Sequence, residues 1–122
     1  MKYTLRIKDN RVFKYIFKKG EYSKGKYIVV HSCKTKFAVE NGDSTNFFAV
    51  CVSKKNGNSV ERNRLKRYAR EVYKQEEEKL KIGYNYIIIY KKDTIAKEVD
   101  FHIIKDDIIK CFEELNLYEE IY

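Results

Sequence analysis

The sequence predicts an α+β fold, a two-layer α/β sandwich of about four strands and three helices, and three features point to it. Apolar residues recur at helical spacing in three separate stretches. Between the first and second of these the chain turns β-branched and aromatic, with a period nearer two. Between the second and third lies "YNYIIIY", residues 84 to 90, a nearly continuous apolar run suited to a strand buried on both faces. At 122 residues with 43% hydrophobic content, the chain fits one domain spanning residues 1–122.

The first helix is expected over "DNRVFKYIFKK", residues 9 to 19. Asp9 or Asn10 can cap it, Val12, Phe13, Ile16 and Phe17 share a face, and Gly20 offers a stop. Strands are expected at "KYIVVHS", residues 26 to 32, and "NFFAVCVS", residues 46 to 53, with a further strand around Thr35 to Val39. "VENGDS" between them carries an Asn-Gly turn pair. Asn58 then caps a second helix, with Glu61 three residues on to complete a capping box, and the helix runs to about Lys81. After Gly83 and the 84–90 strand, Asp100 caps a third helix bearing Ile104, Ile108, Cys111, Phe112 and Leu115 on one face. The strand, helix, strand passage from 46 to 90 implies two parallel strands joined by the second helix.

Composition narrows the function. No apolar run is long enough to span a bilayer and the N-terminus shows no secretory pattern, so a soluble, unexported chain with no membrane partner is expected. Cys33, Cys51 and Cys111 are scattered and odd in number, which suits reduced, buried thiols in the cytoplasm rather than a disulfide scaffold. Neither they nor His31 and His102 show metal-ligand spacing, so no metal site is expected. The net charge of +8 is uneven: residues 1 to 26 carry +7, residues 54 to 74 carry +6, and residues 93 to 122 carry −6. That asymmetry suits a polyanion-binding face backed by an acidic one. A solvated lysine-rich surface is the alternative that charge alone leaves open.

The second helix favours the polyanion-binding face. At about 100° per residue, Leu65, Tyr68, Ala69 and Val72 gather on one side, while Asn63, Lys66, Arg67, Arg70 and Lys74 gather on the other, with Arg62 and Arg64 at the borders. The helix can therefore bury a stripe and hold cations outward in a fixed pattern. Ahead of it, Lys54 and Lys55 leave a strand and Gly57 permits a sharp turn into the cap, aiming the free N–H groups of the first turn at an anion.

The segment "AVCVSKKNGNSVERNRLKRYARE", residues 49 to 71, resembles the signature of the protein subunit of bacterial ribonuclease P: SKK at a strand end, a GN turn, then RNR and KR on a helix. "RVFKYIFKKG" and "FHIIKDDIIKCFEEL" extend the similarity over nearly the whole chain. The resemblance implies a left-handed βαβ crossover, and a non-catalytic partner of a catalytic RNA that removes the 5′ leader of precursor tRNA. It implies that Lys54, Lys55, Asn58, Arg62, Asn63, Arg64, Lys66, Arg67 and Arg70 contact the RNA subunit, and that Phe13, Phe17 and His31 line a cleft for the leader; strand alternation along "YIVVH" places Tyr27 and Val29 on the same face as His31, which adds Tyr27 to the cleft. Phe13 and Phe17 could equally be core, and His31 stands where the family often has tyrosine. Mg²⁺ would be bound mainly by RNA, with no obligate protein partner.

No residue is a candidate for cutting RNA. Glu76, Glu77 and Glu78 are consecutive and diverge on a helix, as a solvated acidic face would, and Asp106 and Asp107 are expected on a surface turn, whereas a two-metal nuclease needs converging carboxylates. The rival readings are a general RNA-binding module, ribosomal or chaperone, and, more remotely, a metal-dependent nuclease or a major-groove DNA reader.

Overall fold

A mixed sheet of five strands organises the chain; the computed structural model describes residues 3–35 and 45–119. In chain order the elements are β1 (Thr4–Arg6), α1 (Asn10–Lys19), β2 (Glu21–Lys24), β3 (Ile28–Lys34), β4 (Asn46–Cys51), α2 (Ser59–Glu76), β5 (Tyr84–Tyr90) and α3 (Phe101–Glu114). The strands lie in the order β1-β4-β5-β3-β2. β4 runs parallel to both β1 and β5, and β3 is antiparallel to β5 and β2. The strand, helix, strand reading of residues 46 to 90 is thus found as β4, α2 and β5 with β4 beside β5.

Five strands stand where about four were expected, because β1 and β2 are too short to leave a periodic run. The strand expected around Thr35 to Val39 falls, after Thr35, outside the described residues, as does the "VENGDS" turn. All three helices carry the caps read from sequence: Asp9, Asn58 with its reciprocal Glu61, and Asp100.

One sheet face carries the main core. Ile28, Val30, Phe48, Tyr86, Ile88 and Tyr90 point into α2 and α3, which return Leu65, Ala69, Val72, Tyr73, Ile104, Ile108 and Phe112. Each such large side chain contributes about 1.5–3 kcal/mol when fully buried. Phe48 stacks on Tyr73 at 4.4 Å, and the Tyr90 hydroxyl donates to the Leu65 carbonyl at 2.6 Å, pinning the middle of α2 to the sheet. On the opposite face α1 covers only part of the surface, through Ile16 against Ile7 and Ile87. That incomplete cover leaves a cleft.

Two acidic sites differ from the sequence reading. α2 stops at Glu76 rather than near Lys81, because Glu76 and Glu77 turn inward instead of forming a solvated face. Glu77 accepts from the Thr4 hydroxyl and the Tyr3 N–H, and Glu76 accepts from the Tyr118 hydroxyl at 2.8 Å. Asp107 is likewise not on a surface turn; it sits buried on α3 and accepts from the backbone N–H groups of Lys26, Tyr27 and Ile28 at 2.8–3.1 Å.

Candidate nucleic-acid interface

The approach to α2 is built from three small polar residues. Ser53 caps a short turn of 3₁₀ helix, Lys54–Asn56, and its own N–H donates to the Asn56 side chain at 2.8 Å. Asn56 is fully buried, and its amide donates to the carbonyls of Lys91 and Thr94, both at 2.8 Å. The turn is therefore nailed to the loop after β5, while Lys54 and Lys55 project into solvent. Gly57 follows at φ +153, a conformation open to glycine, and a Cβ there would strike Glu61. Asn58 then spends its side-chain oxygen on the Glu61 N–H at 2.8 Å.

Along α2, Asn63, Arg67, Arg70 and Lys74 are exposed and Lys66 is half-buried on the same side. Arg62 and Arg64 lie at the flanks, half-buried. Arg64 folds back so that its guanidinium donates to the Ala96 carbonyl at 3.4 Å, while its buried Nε has no partner among the described residues. None of the six Arg and Lys residues between 62 and 74 forms an ion pair among the described residues. Among the described residues no ion pair offsets their mutual repulsion, a condition that favours an external polyanion.

Because β1 ends at Arg6, the edge of β4 is open beyond Phe48. A groove of about 500 Å³ occupies that gap. Lys66 and Arg70 from α2, Arg6 and Lys8 from the end of β1 and just beyond it, and Phe13 of α1 line it together with Ala49 and Val50. Arg6 and Lys8 were not singled out by sequence; the only trace was the +7 charge of the first 26 residues.

From Phe13 an aromatic row runs across the half-covered sheet face. Phe13 lies 6.3 Å from Phe17, and the Phe17 ring meets His31 edge-on at 4.9 Å. His31 in turn lies 5.7 Å from Tyr22. Phe13 is half-buried against the small core, whereas Phe17 is 45% exposed, so the two rings divide the roles of core and surface between them. Burial pushes the His31 imidazole below its ordinary pKa. Tyr27 does not join this row: it precedes β3, packs against the α2/α3 core, and has Lys26 over its ring at 5.4 Å. Tyr22, in contrast, belongs to the row and was missed, because β2 was not read as a strand.

Only Cys111 of the three thiols is buried, Cys33 and Cys51 are half-buried, and all are free. Among the described residues no three His, Cys, Asp or Glu side chains converge to hold a metal ion, and no helix is long and apolar enough to cross a membrane.

Chemically, the surface offers a fixed ridge of cations for phosphate oxygens and a row of rings for unpaired bases, joined by a basic groove. That defines an α+β domain with a cationic helix face set beside a row of rings. The family model for ribonuclease P matches residues 1–116. Among curated relatives, the ribonuclease P protein component of Listeria monocytogenes serotype 4a is 37% identical over 110 residues, covering 89% of this chain and 86% of the relative. That of Natranaerobius thermophilus is 32% identical over 120 residues, covering 98% and 97%. Among solved structures, the RNase P protein of Staphylococcus aureus superposes with a TM-score of 0.79 at 28% identity, over 93% of this chain and 97% of that one. The Thermotoga maritima protein gives 0.71 at 26% identity, over 86% and 92%. The chain belongs to the ribonuclease P protein family.

Proposed function

We propose that this chain, the protein subunit of the ribonucleoprotein ribonuclease P, docks on its catalytic RNA through α2 and the Lys54–Asn56 turn, and holds the unpaired 5′ leader of precursor tRNA along the Phe13, Phe17 and His31 row, in the cytoplasm. The observation that carries the reading is the continuity of the two surfaces: Lys66 and Arg70 of the cationic ridge line the same groove as Phe13, the first ring of the row. Lys54, Lys55, Asn63, Lys66, Arg67 and Arg70 supply the charges and donors that face outward. Arg62 and Arg64 flank them, and Asn58 contributes by fixing the helix start. Tyr27 supports the strand beneath the cleft rather than lining it.

Among the described residues no group of His, Cys, Asp or Glu could hold a metal ion, and we place the Mg²⁺ of the reaction on the RNA. What this chain supplies is charge neutralisation around packed phosphates and a grip on the leader that mature tRNA lacks.

Reconstitution with ribonuclease P RNA tests this. The expected result is that the chain alone leaves precursor tRNA intact, whereas the reconstituted enzyme binds leader-bearing precursor more tightly than mature tRNA and cleaves at lower Mg²⁺ than the RNA alone. Equal binding of precursor, mature tRNA and unrelated structured RNAs would favour a general RNA-binding module instead.

A further inference from the structure

Tyr22 sits on the edge strand β2, directly opposite His31 in the antiparallel register. Its placement is fixed from both sides. Ser23, the next residue, faces the other way and donates to the Glu114 carboxylate under α3, so strand alternation commits Tyr22 to the cleft face. One residue, Gly20, separates α1 from β2, and a Cβ there would run into the carbonyl oxygens of Ile16 and Ser32. Phe17 and Tyr22 are thus held in a rigid relation. Tyr22 is nevertheless 59% exposed, with its ring 5.7 Å from His31 and the Lys24 ammonium 5.9 Å from its centroid. A large ring left open beside a cation, at the end of a row of rings, is poorly explained by packing alone.

We infer that Tyr22, with Lys24 beside it, is an additional stacking position that extends the leader-binding row to the outer edge of the sheet. This rests on the reading that Phe13, Phe17 and His31 hold the leader. The row begins at Phe13, beside the groove lined by Lys66 and Arg70, and ends at Tyr22 on the outermost strand. With the leader entering beside the α2 ridge on that reading, its first nucleotides meet Phe13 and Phe17, and only a leader long enough to cross the sheet reaches Tyr22. Lys24 meets the phosphate of that outer nucleotide, and the tyrosine ring meets its base without sequence preference.

The test uses the enzyme reconstituted with its RNA subunit and precursor tRNAs whose leaders are trimmed one nucleotide at a time. Tyr22→Ala and Tyr22→Leu should weaken binding of long-leader precursors about fivefold or more. Tyr22→Phe should bind as the wild type does. Below a threshold leader length the Tyr22 variants and wild type should coincide, while Phe17→Ala remains weaker. Tyr22→Leu keeps the apolar cover of β2, so a loss shared by both variants and rescued by Phe reports stacking rather than folding. Equal binding of Tyr22→Ala and wild type at every length, with Phe17→Ala still impaired, overturns this inference alone, as does an equal loss on mature tRNA. Absence of any leader dependence for Phe13→Ala and Phe17→Ala as well would overturn the underlying cleft reading with it.

Discussion

The imidazole of His31 meets the ring of Phe17 edge-on at 4.9 Å, in the middle of an otherwise aromatic row. Burial lowers its pKa from the ordinary 6.5, so it is neutral at pH 7 and behaves there as a flat stacking surface. The sign follows from that direction. The unfolded chain takes up the proton first as pH falls, so the stability present above pH 6.5 is lost as pH drops through the lowered folded value. NMR titration of the His31 ring should give a midpoint below the ordinary 6.5; a midpoint at or above it would contradict the packing described.

The carboxylate of Asp107 serves three backbone donors, those of Lys26, Tyr27 and Ile28, at the entrance to β3. Asp107→Ala leaves all three without their buried acceptor and should cost about 2–3 kcal/mol, measured by urea denaturation. Asp107→Asn, which keeps one carbonyl oxygen, should cost less. Equal stability of Asp107→Ala and wild type would show that the clamp is dispensable.

Asn56 carries the Lys54–Asn56 turn. Replacing it with alanine leaves the Ser53 N–H and the carbonyls of Lys91 and Thr94 short of a partner, a loss of about 2–3 kcal/mol. Because the turn also aims Lys54 and Lys55, affinity for the RNA subunit should fall more than for Lys54→Ala alone. Calorimetric melting together with RNA binding would separate the two effects.

Arg64 and Arg67 are expected to part company. Arg67 is exposed and unpaired among the described residues, so Arg67→Ala should weaken RNA binding with the melting temperature unchanged. Arg64 packs its stem and donates to the Ala96 carbonyl, so Arg64→Ala should lower stability by about 1 kcal/mol as well as affinity. Identical melting of both variants and wild type would show that the inward bond of Arg64 carries no weight.

Much of this was legible in the sequence because it is local. Asn58 and Glu61 three apart, Asp100 before an apolar stripe, and the segregated faces of α2 are periodicities within one element, and each was found where it was read. The non-local features were not. β1 owes its existence to pairing with β4, 42 residues later, and to Glu77 reaching back for Thr4, neither of which leaves a mark in "TLR". Asp107 and the pair Glu76 and Glu77 read as solvated acids because their partners are backbone groups and hydroxyls distant in sequence. In the site, alternation from Tyr27 through His31 suggested one shared face, but Tyr27 lies outside β3 and turns to the other core. Tyr22 entered the row only once the β2–β3 register placed it opposite His31.

The most direct measurement is the affinity for ribonuclease P RNA across a salt titration, for the wild type and for the combined Lys66→Ala, Arg67→Ala, Arg70→Ala variant. With each lost phosphate contact worth a slope of roughly 0.7 to 0.9 in log affinity against log salt, the variant should bind more weakly and with a slope shallower by about 2 to 3. Two parallel lines at equal affinity, with both proteins folded, would contradict docking through α2.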